Sequence, residues 1–303
     1  MAAQAPDEAG RCGMKIGVVF PQTEAGADPG GLRSYAEAVA DLGYSHVLAY
    51  DHVIGADPSV HTGWNGPYDL HSTFHEPFVL FGYLAALTRL ELVTGIMILP
   101  QRQSALVAKQ AAEVDLLTEG RLRLGVGIGW NPVEYEALGK HFSGRASRIS
   151  EQVTLMRRLW TEESVTFHGR FETVTAAGLA PMPVQRPIPI WFGTGATTRA
   201  GLRRAGRLAD GWFPLIAPGL QLEAALAEID KAALEAGRDP KGIGMEGRLD
   251  FGDGDLDRLA QEAELWRAKR ASHLSINTMG AGLARIDDHI AALAATAGVL
   301  LED

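Results

Sequence analysis

The sequence predicts a (β/α)8 barrel of the TIM type. Three observations carry this: strand-length runs that are apolar throughout, helix-period segments between them, and about eight such units in succession. Strands without alternation are covered on both faces, which calls for a parallel sheet wrapped by helices. On alternation alone a doubly wound open sheet also satisfies the pattern. A length of 303 residues, with 46% hydrophobic and 21% charged positions, is ample for one large core.

Residues 1–13 are small, polar and mildly acidic, and are read as a flexible leader ahead of a single domain over 14–303. Met14 to Phe20 is the first strand. Leu32 to Gly43 follows as a helix, with Tyr35, Ala36, Val39, Ala40 and Leu42 on one face and Gly43 as its C-cap. The alternation continues with His46 to Tyr50 (strand), Pro77 to Thr88 (helix), Leu90 to Leu99 (strand), Ser104 to Leu117 (helix) and Leu122 to Ile128 (strand). Ile149 to Trp160 is the next helix. Residues 165–187 break the rhythm: Val165 and Phe167, then Phe171 and Thr173, alternate around His168-Gly169, which predicts a short hairpin insertion leading into Pro-rich extended chain. Strands then fall at Ile188 to Gly193, Gly211 to Pro214, Gly242 to Leu249 and Leu274 to Thr278. Helices fall at Thr197 to Leu208, Leu222 to Ala236, Leu256 to Lys269 and Ala284 to Ala295.

Composition excludes several function classes. A net charge of −9 disfavours a general nucleic-acid or anionic-membrane surface, because such partners need a basic field. Cys12 is the only cysteine, so neither an internal disulfide nor a thiolate metal cage is available, and a cytoplasmic setting is expected. No stretch approaches the roughly 20 apolar residues that span a bilayer. The nine histidines show no His-x-His or His-Glu-x-x-His spacing, and there is no Gly-x-Ser-x-Gly elbow or Walker lysine. Metal hydrolysis and nucleotide-triphosphate chemistry therefore find no support, and no metal ligands are assigned.

In a parallel barrel the chemistry sits where strands end, so the strand exits hold the candidates. Asp51 and His52 follow the second strand directly. They read either as a loop histidine held by a carboxylate or as a proton carrier near neutral pH. Gly95, inside an otherwise apolar and β-branched run, marks a bulge, a close approach to a ligand, or tight packing. Gly125, Gly127 and Gly129 resemble a dinucleotide fingerprint only superficially. The run Gly193-Thr194-Gly195-Ala196-Thr197-Thr198-Arg199 passes from strand through a small-residue turn into a helix. Its amides and helix dipole suit an anion, and a capped helix without a ligand is the alternative. Arg199 and Arg203 either add positive field there or lie on a solvated helix face. The long loop Gly55 to His75, with Trp64, Tyr68 and Phe74, is either a substrate wall or lid, or ordinary packed surface.

Taken together the exits resemble the luciferase-like monooxygenase family, and within it the members that use coenzyme F420. The resemblance rests on Glu76-Pro77-Phe78-Val79, Thr94-Gly95-Ile96 with Leu99-Pro100, Gly120-Arg121-Leu122, and Leu124-Gly125-Val126-Gly127-Ile128-Gly129-Trp130-Asn131. Pro189-Ile190-Trp191 with Gly193, Ala209-Asp210-Gly211-Trp212 and Leu274-Ser275-Ile276-Asn277-Thr278-Met279-Gly280 complete it. It implies a closed barrel with a cis peptide at Gly95-Ile96 against the central ring of the cofactor. It further implies catalytic Asp51 and His52 beside that ring, Gly127, Gly129 and Trp130 lining the cofactor site, and Gly193, Thr194, Gly195 and Thr197 on the phosphate.

The function so implied is hydride transfer between F420 and a small organic substrate, with His52 giving or taking the proton. A second reading is an FMN-dependent monooxygenase in the same pocket, and a third is a non-catalytic flavin-binding relative. Family members often dimerise, so a homodimer is expected.

Overall fold

The computed structural model describes residues 13–195 and 198–301. The apolar runs form β1 (Lys15–Val19), β2 (His46–Ala49), β3 (Glu91–Thr94), its short continuation β4 (Met97–Ile98) and β5 (Leu122–Gly127). Next come β6 (Val165–His168) and β7 (Thr173–Ala177), which pair antiparallel with each other. Then follow β8 (Ile190–Thr194), β9 (Gly211–Pro214), β10 (Gly244–Asp250) and β11 (His273–Asn277). Between them lie α1 (Pro29–Asp41), α2 (Pro77–Ala85), α3 (Ser104–Leu117), α4 (Pro132–Ala137), α5 (Arg145–Thr161), α6 (Arg199–Leu208), α7 (Leu220–Glu235), α8 (Leu256–Ala268) and α9 (Ile286–Leu300).

All barrel neighbours are parallel. The order runs β3-β2-β1-β11-β10-β9-β8-β5, and the pairing of Leu92 with Leu122 joins β3 to β5 and closes the ring. The open-sheet alternative is thereby removed. β6 and β7 form the hairpin that the interrupted rhythm predicted, and Ala180-Pro181 and Arg186-Pro187 are cis in the Pro-rich run behind it.

Burial follows the two sides of the barrel wall. Outward residues of the strands pack against the helices in one large cluster that includes Val18, Val47, Leu92, Leu124, Ile190, Trp212 and Ile276. Inward residues Val19, Leu48, Val93, Trp191 and Phe213 form a second cluster that fills the lumen, with Tyr50, Ile96 and Met279 above it. Deeper in the lumen the filling is polar. Glu246 accepts from His46 Nε2 (2.9 Å), Ser275 and Arg123, and Arg123 also reaches Glu91 (3.0 Å). The Arg123 guanidinium lies 4.3 Å from the Trp191 ring centroid. Burial alone would raise the Glu246 carboxyl, but Arg123 and His46 overcome it and hold the group well below the usual carboxylate range.

Two departures from the sequence reading bear on the site. The run Leu90 to Leu99 is not one continuous strand: the cis peptide that the resemblance implied at Gly95-Ile96 is present, the chain breaks there at the bulge that Gly95 marked, pairs again as β4 against Val126 and Gly127, and ends in a 3-10 turn over Leu99–Gln101. The short helix α4 was not anticipated. Asn131 caps it by accepting from the amides of Val133 (3.0 Å) and Glu134 (3.4 Å), and Pro132 opens its first turn. Among the described residues no helix is long and apolar enough to cross a membrane.

Candidate functional site

The strand exits surround a cleft with two lobes. The first lobe, about 440 Å³, is lined by Asp51, His52, Gly95, Ile96, Gly127, Gly129, Trp130, Gly193, Thr194 and Gly195. Ten of the eleven residues singled out in the sequence thus meet at one cavity; Thr197 lies outside the described residues. The second lobe, about 520 Å³, shares Tyr50, Gly95, Ile96, Gly193, Leu215 and Arg248 with the first. The bulge is their common wall.

The bulge is positioned by packing from three strands. A Cβ on Gly127 would overlap the Ile96 side chain, and one on Gly193 would stand 2.8 Å from it, so both positions are bare to admit Ile96. A Cβ on Gly95 would overlap Leu48. Gly129 has φ +64°, and a Cβ there would lie 2.6 Å from Ile98. Polar contacts fix the same segment. Asp51, 2% exposed, accepts from the Ile98 amide (3.0 Å) and from Arg102 (2.6 Å), while Arg102 also holds Glu76 at 3.2 Å. Both carboxylate oxygens of Asp51 are therefore committed to the backbone and cation beneath the bulge.

His52 stands differently. Its Nδ1 lies 3.3 Å from Glu134 Oε1, and the same oxygen accepts from the Val53 amide at 2.7 Å. Because an ionised carboxylate only accepts, Nδ1 carries the proton and Nε2 presents its lone pair. Nε2 makes no hydrogen bond among the described residues. Phe74, Tyr68 and Trp130 surround the ring at centroid distances of 4.7, 5.1 and 5.6 Å. Both Tyr68 and Phe74 come from the long loop, which is therefore a wall of the site. Trp64 ties that loop to Trp130 at 5.5 Å.

At the far end of the first lobe β8 leads into α6. Thr198, the N-cap, accepts no backbone bond through its side chain, and Gly201 sits so close to the Thr194 hydroxyl that a Cβ would overlap it. Arg199 and Arg203 turn away to Glu228, at 3.1 and 3.2 Å, as the solvated-face reading expected. Arg204 instead lines the lobe. It donates to Ser150 Oγ at 3.2 Å and makes no salt bridge among the described residues, and burial followed by repulsion from Arg207 lowers its pKa. A partly desolvated guanidinium with no carboxylate partner among the described residues, beside the N-terminus of α6, is a donor set that suits a phosphate monoester or diester.

Glu134, Arg102 and Arg204 escaped the sequence reading. The only local signal was spacing: Gly201 and Arg204 are one turn apart on the face that begins at Thr198, and Glu134 stands three residues after the N-cap Asn131.

The luciferase-like monooxygenase family model matches residues 14–293, and the chain belongs to that family. An uncharacterized protein of Mycobacterium tuberculosis is 40% identical over 166 residues, covering 54% of this chain and 56% of its own, so the match spans little more than half that relative's length. The F420-dependent glucose-6-phosphate dehydrogenase of Nakamurella multipartita is 30% identical over 248 residues, 79% of this chain and 69% of its own. Among solved structures, an F420-dependent secondary alcohol dehydrogenase in complex with an F420-acetone adduct superposes with TM-score 0.74 at 20% identity, over 93% of this chain and 99% of its own. The FMN complex of the oxygenating constituent of 3,6-diketocamphane monooxygenase from Pseudomonas putida gives 0.73 at 15%, over 95% and 98%. These two likenesses establish the fold.

Proposed function

We propose that the chain is a coenzyme F420-dependent oxidoreductase acting on a small organic substrate, and that the first lobe holds the deazaflavin. The observation that carries this reading is the continuity of one cleft from Arg204 and the α6 N-terminus to the Gly95–Ile96 bulge and His52. A phosphorylated, planar redox cofactor needs both ends: an anion anchor and an apolar edge that fixes one face of the ring. When bound, the deazaflavin supplies or accepts a hydride. The protein's own part is then to exclude water and to manage one proton. Ile96, Ile98 and Phe192 supply apolar walls. His52 Nε2 gives or receives the proton at the substrate oxygen, and Glu134 keeps the ring in the tautomer that leaves Nε2 free. Asp51 acts through Ile98 and Arg102, holding the bulge in place.

The choice of F420 rests on kinship with the F420-dependent dehydrogenases. FMN is the second reading, favoured by the fold shared with an FMN-bound monooxygenase.

Titration of the purified protein with F420 and with FMN, followed by tryptophan fluorescence with Trp130 in the cavity wall, tests the assignment. F420 is expected to bind tightly and FMN weakly. Arg204→Ala is expected to weaken F420 binding about 10- to 100-fold, the effect of losing one charge-assisted bond. Tight FMN binding without F420 binding transfers the site to the second reading, and an unchanged affinity in Arg204→Ala removes the phosphate anchor.

A further inference from the structure

We propose that the second lobe is the substrate subsite and that it takes an uncharged, largely apolar molecule bearing a carbonyl or hydroxyl, excluding phosphorylated and carboxylated compounds. This rests on the cofactor reading of the first lobe.

Both lobes meet at Gly95, Ile96 and Gly193, so a molecule in the second lobe abuts whatever the bulge supports. At about 520 Å³ the lobe lies within the range of small-molecule sites, roughly 300–1,000 Å³. Its walls are Val19, Phe213, Ile216, Pro218, Leu265 and Trp266, contributed by β1, β9 and the segment after it, and α8. Apolar walls of this kind gain by desolvating an apolar body and lose by desolvating a charge.

The charges in the lobe are already matched. Arg248 pairs with Asp250 (3.1 Å) and donates to the Tyr50 hydroxyl (3.3 Å). Arg258 pairs with Glu262 (3.0 Å) and donates to the carbonyls of Asp250 (3.1 Å) and Phe251 (3.0 Å). Glu246 is saturated by His46, Ser275 and Arg123. Two arginines face three carboxylates, and Arg123 behind Glu246 is itself shared with Glu91, so the acidic groups are in excess. An anionic ligand would have to detach Arg248 or Arg258 from a carboxylate that then stays beside it, so attraction is offset by like-charge repulsion and desolvation. The first lobe is the opposite case, since Arg204 has no carboxylate partner among the described residues.

The Tyr50 side chain can orient a neutral ligand. The Tyr50 hydroxyl accepts from Arg248 and shows no acceptor for its own proton among the described residues. Burial raises its pKa, so the proton stays on the oxygen across the physiological range. A hydrogen bond from Tyr50 to a carbonyl or hydroxyl oxygen would turn that end of the ligand toward the wall that the two lobes share.

Three probes with one apolar body separate charge from shape: 2-acetylnaphthalene, 2-naphthoate and 2-naphthyl phosphate. Their dissociation constants are measured by calorimetry, with and without saturating cofactor, on the wild type and on Ala217→Lys. Ala217 is an exposed position that lines this lobe only, with no carboxylate within four residues in sequence. The ketone is expected to bind the wild type at least tenfold tighter than either anion, and Ala217→Lys is expected to narrow or reverse that ratio. Equal or tighter binding of an anion by the wild type overturns the proposal. So does absence of ketone binding, or a variant that leaves all three constants unchanged. Because cofactor affinity is read separately, loss of the F420 assignment leaves these outcomes interpretable, and their failure leaves the F420 assignment standing.

Discussion

His52 takes its orientation from Glu134, a residue 82 positions later in the chain, and that separation explains why the pair was illegible in the sequence. Asp51-His52 announced itself by following an apolar run, but its adjacency suggested a carboxylate–histidine couple between neighbours. The fold divides them: Asp51 points beneath the bulge to Arg102 and Ile98, and His52 points to Glu134. The two have separable tasks. Glu134→Gln keeps an oxygen to accept from the Val53 amide and removes the charge that fixes the His52 tautomer. It is expected to lower kcat about tenfold or more with KM and cofactor affinity nearly unchanged. His52→Gln is expected to cost more, about 10²–10⁴-fold, as general acid–base groups do. Steady-state kinetics with separate kcat and KM checks both. A fall in cofactor affinity matching the fall in kcat would make Glu134 merely structural.

At the scale of elements the sequence was readable wherever burial repeats with a regular period. Ser104–Leu117 and Gly211–Pro214 form over the residues their apolar spacing marked, and the hairpin appears where alternation around His168-Gly169 placed it. The third strand was legible in composition and in the bulge that Gly95 marked, but not in what holds that bulge in place. Its break at Gly95–Ile96 depends on a notch made by Gly127 of β5 and Gly193 of β8, and no local pattern in 90–99 encodes that notch. The glycines quoted for cofactor contact thus have a second office, making room for Ile96. Gly127→Ala puts a methyl into the Ile96 side chain, an overpacking that costs about 1–3 kcal/mol. It is expected to lower the unfolding midpoint and to weaken cofactor binding by displacing the bulge. Ile96→Ala in the same chain should restore most of the stability, since it removes the group the methyl strikes, while leaving cofactor affinity low. A double-mutant cycle by urea unfolding measures the coupling. Additive losses would mean that the two side chains do not meet.

For the whole molecule, the polar filling of the lumen ties stability to pH. His273 lies 5.1 Å from Trp191 and 5.7 Å from His46, and burial, reinforced by Arg123, pushes its pKa down to about 3. In the unfolded chain a histidine titrates near ~6.5. Between those values the unfolded state binds a proton that the native state refuses, so stability rises with pH through this window, is complete above the unfolded value, and is lost as pH falls toward about 3. Glu246, also depressed, adds a loss of the same sign that begins only below the ordinary glutamate range, about 4.3. The two contributions are therefore separable by pH. Near pH ~5.5 His273 contributes about 1.4 kcal/mol per pH unit for its one proton, and His289, whose pKa burial also lowers, adds a slope of the same sign in that window. Urea unfolding of the wild type and of His273→Gln at intervals from pH ~5 to ~8 reads it directly. The variant should flatten the slope by most of that amount below the unfolded histidine value and leave the plateau above it level. The acid collapse owed to Glu246, which Arg123 and His46 hold ionised inside the barrel, should survive the substitution, because its proton is taken up in a lower range. An unchanged slope in His273→Gln would show that the imidazole takes up its proton as readily in the barrel as in the unfolded chain, and the lumen would then be wet at the layer where Trp191 and Arg123 stack.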